Sequence, residues 1–194
     1  MKICIGIPTN RQFRPQTVQA LTRMVAFSAK KHELFIIVPT EGYNTAENRN
    51  YTVAQAIKNG CDYILFSDDD MSYPEDSLDR LLSHDKDAIG VLYSVRRRPP
   101  ALVIEYDGTD EQALEETEIF KCKAIGTGLL LVKTSVFSKI KSPFFGYQWH
   151  ENGMVKVSTD WFMCEKLQDA GIEIWADPMI KDVKHHGDYA YETH

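Results

Sequence analysis

Short apolar runs alternate with amphipathic helical patterns through the first half of the chain, and this order limits the folds that the chain can form. Four such runs predict buried strands, at residues 2–7, 34–38, 63–66 and 88–93. Three stretches between them carry apolar side chains at helical spacing and predict helices at 15–30, 46–59 and 74–83. Strands joined through helices by short links predict an α/β fold with a mainly parallel central sheet and helices on both faces.

The second half of the chain has a different pattern. We expect strands at 101–106, 118–125, 129–132 and 172–176, and a helix at 160–170 that ends before Gly171. A segment rich in arginine and proline, at 95–100, separates the two halves. The length of 194 residues suits one domain. We therefore predict a single domain over 1–194, with halves at about 1–95 and about 96–194.

Charge and composition exclude some classes of partner. The chain has 28 Asp and Glu against 22 Lys and Arg, a formal net charge of −6. Such a chain is a poor candidate for nucleic-acid binding, because contacts with phosphates dominate that affinity. No apolar run is long enough to span a membrane, and the N-terminus lacks the pattern of a signal peptide. Four cysteines without a CxxC pair indicate free thiols. We expect a cytoplasmic protein that meets any membrane only at its surface.

Three consecutive aspartates follow the predicted strand at 63–66, namely Asp68, Asp69 and Asp70. Carboxylates this close disfavour one another's ionisation unless a cation compensates them. Oxygen ligands suit Mg²⁺ or Mn²⁺. Alternate residues of an extended chain face the same way, so Asp68 and Asp70 could meet one ion. The alternative is a solvated acidic turn before the helix at 74–83, with Ser72 as the N-cap of that helix.

A second polar segment follows the first predicted strand. In parallel sheets, ligands bind beyond the carboxyl ends of the strands. We therefore expect this segment to lie beside the aspartates, although about 60 residues separate the two in sequence. Its residues are Pro8, Thr9, Asn10 and Arg11.

The aspartates lie in the run ILFSDDDMSYPEDSLDRLL. This run resembles the Asp-x-Asp segment of family-2-type GT-A glycosyltransferases, a resemblance that extends over roughly 1–190. It implies a Rossmann-like GT-A fold whose first half binds a nucleotide sugar and whose second half binds the acceptor. By this resemblance Asp70 is a metal ligand, Asp68 contacts the ribose or shares the metal shell, and Asp69 belongs to the donor site. Other segments that resemble donor-binding parts of the family contain Pro8, Thr9, Asn10, Arg11, Asn48 and Arg49.

The resemblance also assigns residues of the second half. The loop Gly126-Thr127-Gly128 is similar to a glycine-containing loop near the acceptor. Asp160 matches the general base of the family, although Thr159 stands where the family usually has Glu. The alternative for Asp160 is a carboxylate that caps the helix. Trp161 offers a flat face on which a sugar could stack, and the alternative is a buried core aromatic.

Two basic clusters complete the predicted site. The family places a late His as a further metal ligand, and His185 fits this best, with His186 as the second choice; a basic surface loop is the alternative. Arg96 and Arg97 lie in a concentrated positive run, and Arg can hold a phosphate through two hydrogen bonds. The alternative for these arginines is solvated charge in a linker.

Together these residues predict a glycosyltransferase that uses Mn²⁺ or Mg²⁺ and moves a sugar from a UDP- or GDP-sugar to a hydroxyl of a saccharide or other acceptor, with inversion. Two rival hypotheses stay open. Thr159 in place of Glu is compatible with a non-catalytic module that binds nucleotide sugars. The spacing Asp68-x-Asp70-x-Ser72 faintly resembles the motif of haloacid-dehalogenase-like phosphatases, although that motif normally follows the first strand.

Overall fold

The computed structural model describes residues 1–9, 12–39, 44–187 and the backbone of 190–192. It contains five α-helices in these ranges: α1 (Pro15–Ser28), α2 (Thr45–Lys58), α3 (Ser77–Ser83), α4 (Asp110–Glu115) and α5 (Thr159–Asp169). A 3-10 helix covers Thr134–Ser138. The strands are β1 (Lys2–Gly6), β2 (Glu33–Ile37), β3 (Tyr63–Ser67), β4 (Met71–Ser72), β5 (Ala88–Val91), β6 (Ile104–Glu105), β7 (Phe120–Cys122), β8 (Ala124–Ile125), β9 (Leu129–Lys133), β10 (Gln148–Trp149), β11 (Val155–Val157), β12 (Ile174–Asp177), β13 (Lys184–His186) and β14 (Ala190–Glu192).

A seven-stranded sheet in the order β2-β1-β3-β9-β5-β12-β7 forms the centre of the molecule. The strands β2, β1, β3, β5 and β12 run in one direction, whereas β9 and β7 run in the opposite one. The predicted α/β class with a mainly parallel sheet is therefore confirmed. The reversed strand β9 lies between β3 and β5 and pairs antiparallel with both, whereas the preceding strand β8 pairs with β6 in a separate two-stranded sheet.

Two apolar layers cover the two faces of this sheet. In β3, Ile64 and Phe66 face a cluster that includes Val53 of α2 and Leu167 of α5. The intervening Leu65 faces the other cluster, which includes residues of α1 and α3 such as Met24 and Leu78. Because β3 is buried on both faces, its side chains from Tyr63 to Phe66 are all apolar or aromatic. The helices on both faces confirm the predicted layers.

Several boundaries differ from the predicted ones. The third helix begins at Ser77 rather than at 74, and Ser72 is not its N-cap, because Ser72 lies in β4 and pairs with Lys184 of β13. The predicted strand at 118–125 is divided into β7 and β8 at Lys123. The acidic loop before it contains α4, which begins with a capping box between Thr109 and Gln112.

A small second sheet, β14-β13-β4, lies beyond the carboxyl end of β3 and positions the residues that follow the aspartates. Its strand β13 pairs antiparallel with β4, which places His185 opposite Met71. The backbone N–H of His186 also donates a hydrogen bond of 2.7 Å to the carbonyl oxygen of Asp70. The late histidines are therefore held beside the aspartates by the backbone itself. None of the helices in the described ranges has the length and apolarity needed to cross a membrane.

Candidate functional site

A polar pocket of about 210 Å³ lies at the carboxyl ends of β1 and β3. It forms where parallel strands end and loops diverge, the usual position of a ligand site in such sheets. Every lining residue except Thr45 had been predicted from the sequence. Asn10 and Arg11, which were also predicted, lie outside the described residues. The lining residues are Pro8, Thr9, Thr45, Asn48, Arg49, Asp68, Asp69, Asp70, Arg96 and His185.

The buried guanidinium of Arg49 links two acidic residues at the base of the pocket. Its Nη2 lies 2.9 Å from Oδ1 of Asp68, and its Nη1 bonds to Oδ1 of Asp160. Only 3% of the Arg49 side chain is exposed. Burial alone would lower the pKa of Arg49, but the carboxylates of Asp160 and Asp68 outweigh it and raise the pKa above its ordinary value. Arg49 therefore stays charged, and it compensates part of the negative charge that the aspartates bring.

Asp160 opens α5 and lies behind Arg49, outside the set of residues that line the pocket. Its second oxygen, Oδ2, accepts a hydrogen bond of 3.2 Å from the backbone N–H of Thr127. About 16% of the side chain is exposed. Both oxygens of Asp160 thus have a partner, which fixes the orientation of the carboxylate while leaving further lone pairs for a substrate hydroxyl.

Each carboxylate oxygen of Asp70 is approached by a nitrogen atom of another side chain. Nη1 of Arg96 lies 2.9 Å from Oδ2, and Nε2 of His185 lies 3.3 Å from Oδ1. Oδ1 is buried and has no well-aligned hydrogen bond from the part of the chain that the structure describes. Burial alone would raise the pKa of Asp70, but His185 and Arg96 outweigh it, so the pKa lies below its ordinary value. Asp70 is therefore ionised at neutral pH.

The orientation of His185 follows from its other nitrogen. Nδ1 lies 3.1 Å from the carbonyl oxygen of Ser94, which can only accept, so Nδ1 carries the proton. In the neutral imidazole the lone pair of Nε2 then faces the carboxylate of Asp70. A cation between these two acceptor atoms would satisfy both of them. The backbone bond at Nδ1 is the arrangement by which proteins commonly orient a metal-binding histidine.

The donor atoms of Asp70 and His185 fit a divalent cation. Adjacent ligands of an octahedral ion, each about 2.1 Å from it, lie about 3 Å apart, close to the 3.3 Å that separates Oδ1 and Nε2. A carboxylate oxygen and an imidazole nitrogen both suit Mn²⁺. Among the described residues, however, no group of three or more His, Cys, Asp or Glu side chains is arranged as a metal site. Within the described ranges, Asp70 and His185 are thus two side chains that could hold a cation, and a substrate or water would supply the other ligands.

The glycine loop Gly126-Thr127-Gly128 is buried beneath Tyr93 and does not line the pocket. A Cβ added to Gly126 would lie 2.0 Å from the Tyr93 hydroxyl oxygen, and one added to Gly128 would lie 2.7 Å from Cζ of that ring. The Tyr93 hydroxyl accepts a hydrogen bond of 3.0 Å from the backbone N–H of Gly128. The glycines therefore make room for Tyr93, and the loop presents the Thr127 N–H to Asp160.

Three other predicted residues lie away from the pocket. His186 faces the opposite side of β13, where its Nε2 is 2.7 Å from the hydroxyl oxygen of Ser72. The indole N–H of Trp161 donates a hydrogen bond of 2.9 Å to Glu105, and its ring packs partly against the core. Arg97 is exposed and is absent from the lining of the pocket. Of the two histidines, the structure thus brings His185 to the aspartates.

Sequence reasoning missed two residues that organise the site. Tyr93 lies at the end of β5 and is buried; burial raises its pKa well above the ordinary value, and Asp68 and Asp160 add to this effect. Asn50 uses its amide oxygen to accept hydrogen bonds of 2.8 and 3.0 Å from the N–H groups of Phe144 and Phe145, while its amide N–H donates to the Phe145 carbonyl at 2.8 Å. Asn50 directly follows Asn48 and Arg49 in the sequence, but nothing there indicates its backbone partners at Phe144 and Phe145.

Comparison with known proteins shows similarity at the level of structure. No protein-family model matches the chain, and no curated protein matches it. A197 from STIV has a similar structure, with a TM-score of 0.65 and 15% identity over 100% of this chain and 95% of that chain. GalNAc-T7, solved with UDP, GalNAc and Mn²⁺, has a TM-score of 0.58 and 9% identity over 91% of this chain and 42% of that one. TarS 1-349 of S. aureus has a TM-score of 0.51 and 12% identity over 100% and 60%.

These identities are low, so the similarities concern the fold. The chain spans less than two thirds of the GalNAc-T7 and TarS chains that it matches, but nearly all of A197. The protein has a GT-A-like fold.

Proposed function

We propose that this protein transfers a sugar from a nucleotide diphosphate sugar to a hydroxyl group of an acceptor, with the help of Mn²⁺ or Mg²⁺. The observation that carries this proposal is the convergence of Asp68, Asp70 and His185 on one polar pocket at the carboxyl ends of β1 and β3. The structurally similar GalNAc-T7 was solved with UDP, GalNAc and Mn²⁺, which supports a ligand of this class. We further propose a UDP- or GDP-sugar as the donor.

Different residues of the pocket would bind the nucleoside and the diphosphate of the donor. Asp70 and His185 would hold the cation, which when bound neutralises the charge that develops on the diphosphate leaving group. Asp68 would accept hydrogen bonds from the ribose or share the metal shell. Burial raises the pKa of Asp68, and its bond to Arg49 acts in the opposite direction. Arg96 would bind the phosphates, because guanidinium groups match phosphate geometry.

Further pocket residues would complete the donor site. Asn48 is 1% exposed and lines the pocket, and its buried Oδ1 has no hydrogen-bond partner among the described residues. An unsatisfied buried acceptor is costly, so a donor group of the ligand is expected there. The other residues proposed to contact the donor are Pro8, Thr9, Asn10, Arg11 and Asp69, with Arg97 near the phosphates.

Asp160 would act as the general base. As the acceptor oxygen attacks the anomeric carbon, its proton would pass to Asp160 and the bond to the diphosphate would break, which inverts the configuration. Arg49 and the Thr127 N–H would hold the carboxylate during this step. We assign the acceptor to the second half of the chain, near Trp161 and the buried loop 126–128.

A second candidate function rests on the same geometry. Both oxygens of Asp160 already have partners, and Thr159 differs from the family pattern. A module that binds a nucleotide sugar without turning it over would tolerate both features. The phosphatase hypothesis has less support, because Asp68, which would be its nucleophile, bonds to buried Arg49.

Calorimetric titration of UDP and GDP, each with Mn²⁺ and with EDTA, tests the proposed site. We expect one diphosphate to bind at least about tenfold more tightly with Mn²⁺, and this gain to disappear in Asp70→Asn. Asp76→Asn is the control, since Asp76 precedes α3 and makes no capping bond through its side chain. Equal affinity of both diphosphates with and without Mn²⁺, or an unchanged Asp70→Asn protein, would refute the site.

We also propose a cytoplasmic location. The four cysteines are free thiols, and burial raises the pKa of Cys4 to about 12, with a contribution from Cys61. Unreactive, buried thiols are typical of proteins in a reducing compartment. Fractionation of the source cells with an antibody against the protein would test this location.

A further inference from the structure

Arg96 forms an ion pair with Asp70, the carboxylate that the proposed cation would need as a ligand. Its Nη1 is 2.9 Å from Oδ2 of Asp70, while Nε2 of His185 approaches the other oxygen. The guanidinium therefore supplies, from the protein itself, positive charge at the place where Mn²⁺ or Mg²⁺ is proposed to bind. A divalent ion on Asp70 would lie within a few ångströms of this guanidinium and repel it. A further anion between the two cations would reduce this repulsion.

The structure allows Arg96 to leave Asp70 without unfolding the site. The side chain of Arg96 is 46% exposed, against 12% for Asp70. Its backbone belongs to a short loop whose ends are tied together, because the N–H of Val95 donates to the carbonyl oxygen of Ala101 at 2.9 Å and Ser94 forms a β-bridge with Leu102. A rotation of the Arg96 side chain would thus move the guanidinium while the loop stays in place.

The same loop fixes the other ligand. The carbonyl oxygen of Ser94 accepts the hydrogen bond from Nδ1 of His185. The loop that carries Arg96 is therefore also the element that orients His185 toward Asp70. Movement of the Arg96 side chain alone leaves this bond intact.

We propose that Arg96 is a removable countercharge for Asp70: it pairs with Asp70 in the empty site, the cation displaces it, and it then binds the diphosphate that arrives with the cation. This inference rests on the proposed function, and it adds an order to binding. The cation alone binds weakly because it must displace Arg96. The cation and the diphosphate together bind strongly, because the diphosphate provides a new partner for Arg96.

Electron paramagnetic resonance of free Mn²⁺ tests this inference without any measurement of turnover. Mn²⁺ is titrated into the wild type, Arg96→Ala and Arg96→Gln, first alone and then with saturating UDP or GDP. We expect Mn²⁺ alone to bind both variants about 5- to 50-fold more tightly than the wild type. With the diphosphate present, we expect the order to reverse, because the variants lack its arginine partner. Arg23→Ala, which removes an exposed arginine of α1, should match the wild type in both titrations.

The outcomes separate this inference from the proposed function. If the wild type binds Mn²⁺ with a diphosphate, but both Arg96 variants bind Mn²⁺ alone no more tightly than the wild type, the inference is wrong and the proposed function stands. If the wild type binds neither Mn²⁺ nor a diphosphate under any condition, both are wrong. Far-UV circular dichroism of each variant confirms that the fold is intact.

Discussion

The guanidinium of Arg49, near the start of α2, binds the carboxylate of Asp160, near the start of α5, across 111 positions of the sequence. This pair joins the two halves of the chain at the base of the pocket. The same guanidinium also holds Asp68, so the proposed base and a proposed donor-binding residue share one buried cation. We expect catalysis by Asp160 and donor binding by Asp68 to depend on each other through Arg49.

Replacing Arg49 should destabilise the protein strongly. Arg49→Ala leaves two poorly exposed carboxylates without their cation, and the loss of one partner of a buried pair typically costs about 3–5 kcal/mol. Arg49→Lys keeps the charge but lacks the fork that holds both carboxylates, so its cost should be smaller but measurable. Urea denaturation gives the free energy of unfolding. Lys58→Ala, at the exposed end of the same helix, is the control. A loss below about 1 kcal/mol for Arg49→Ala would contradict the structural role of this pair.

The amide of Asn50 should govern the order of the segment at 144–149. It satisfies three backbone groups of Phe144 and Phe145. Asn50→Ala leaves these groups without partners, and we expect a loss of about 2–3 kcal/mol in stability. Hydrogen exchange should also accelerate at 144–149, before it does in β1 or β3. Asn59→Ala is the control, because the Asn59 amide at the end of α2 donates to the carbonyl oxygen of Gln55 and not to the segment 144–149. Unchanged exchange at 144–149 would show that this contact does not order the segment.

Gly126 should not tolerate a side chain. A Cβ there would lie 2.0 Å from the Tyr93 hydroxyl oxygen and 2.6 Å from Cγ1 of Val103. We expect Gly126→Ala to lower the free energy of unfolding by about 1–3 kcal/mol through overpacking. Because the closest contact is with the hydroxyl, Tyr93→Phe should recover part of the loss, and a double-mutant cycle by thermal denaturation measures the coupling. Full additivity of the two substitutions would mean that Gly126 and Tyr93 do not compete for this space.

The stability of the helix pair α1 and α3 should depend on pH through Asp79. Its carboxylate accepts hydrogen bonds from the Ser28 hydroxyl at 2.7 Å and from Lys31 at 2.5 Å. Burial alone would raise the pKa of Asp79, but these bonds outweigh it, and the pKa is lowered. The stabilisation from Asp79 is therefore complete above the pKa of Asp in the unfolded chain, about 3.9. It is lost as the pH falls through the lower pKa of Asp79 in the folded protein.

Asp79→Asn tests this dependence. At pH 7 it should cost about 1–2 kcal/mol, and the difference from the wild type should shrink as the pH falls below about 4. Denaturation curves between pH 2 and pH 7 measure it. Glu75→Gln, which changes an exposed carboxyl group nearby, is the control. A cost that is the same at every pH would rule out the ion pair as its source.

Much of the fold could be predicted because it depends on local patterns. The apolar runs and helical spacing identify β1, β3, α1 and α2, since hydrophobic period and strand length are properties of each segment alone. The direction of β9 could not be predicted, because a short strand carries no local sign of its orientation in a sheet. Ser72 looked like a helix cap because serine favours caps, but its pairing with Lys184 in β13 decided its structure.

In the candidate site too, some residues could be predicted from the sequence and others could not. The three aspartates and the late histidine have residue types that indicate chemistry, so their convergence could be expected. Tyr93 and Asn50 could not be assigned, because their roles depend on backbone groups 35 and 94 positions away. Backbone partners leave no pattern of residue types in the sequence. The sequence indicates a loop at Gly126 and Gly128, but only the position of Tyr93 explains why these residues are glycines.

The most direct test of the proposed function is the release of free nucleotide diphosphate from a panel of UDP- and GDP-sugars in the presence of Mn²⁺. The wild type should release the diphosphate from at least one donor, EDTA should stop the release, and Asp70→Asn should reduce its rate by about two orders of magnitude or more, since a missing charge partner at a transition state costs that much. Asp76→Asn should behave as the wild type. If no donor in the panel is turned over by the wild type, or if Asp70→Asn releases diphosphate at the wild-type rate, sugar transfer at this pocket is contradicted.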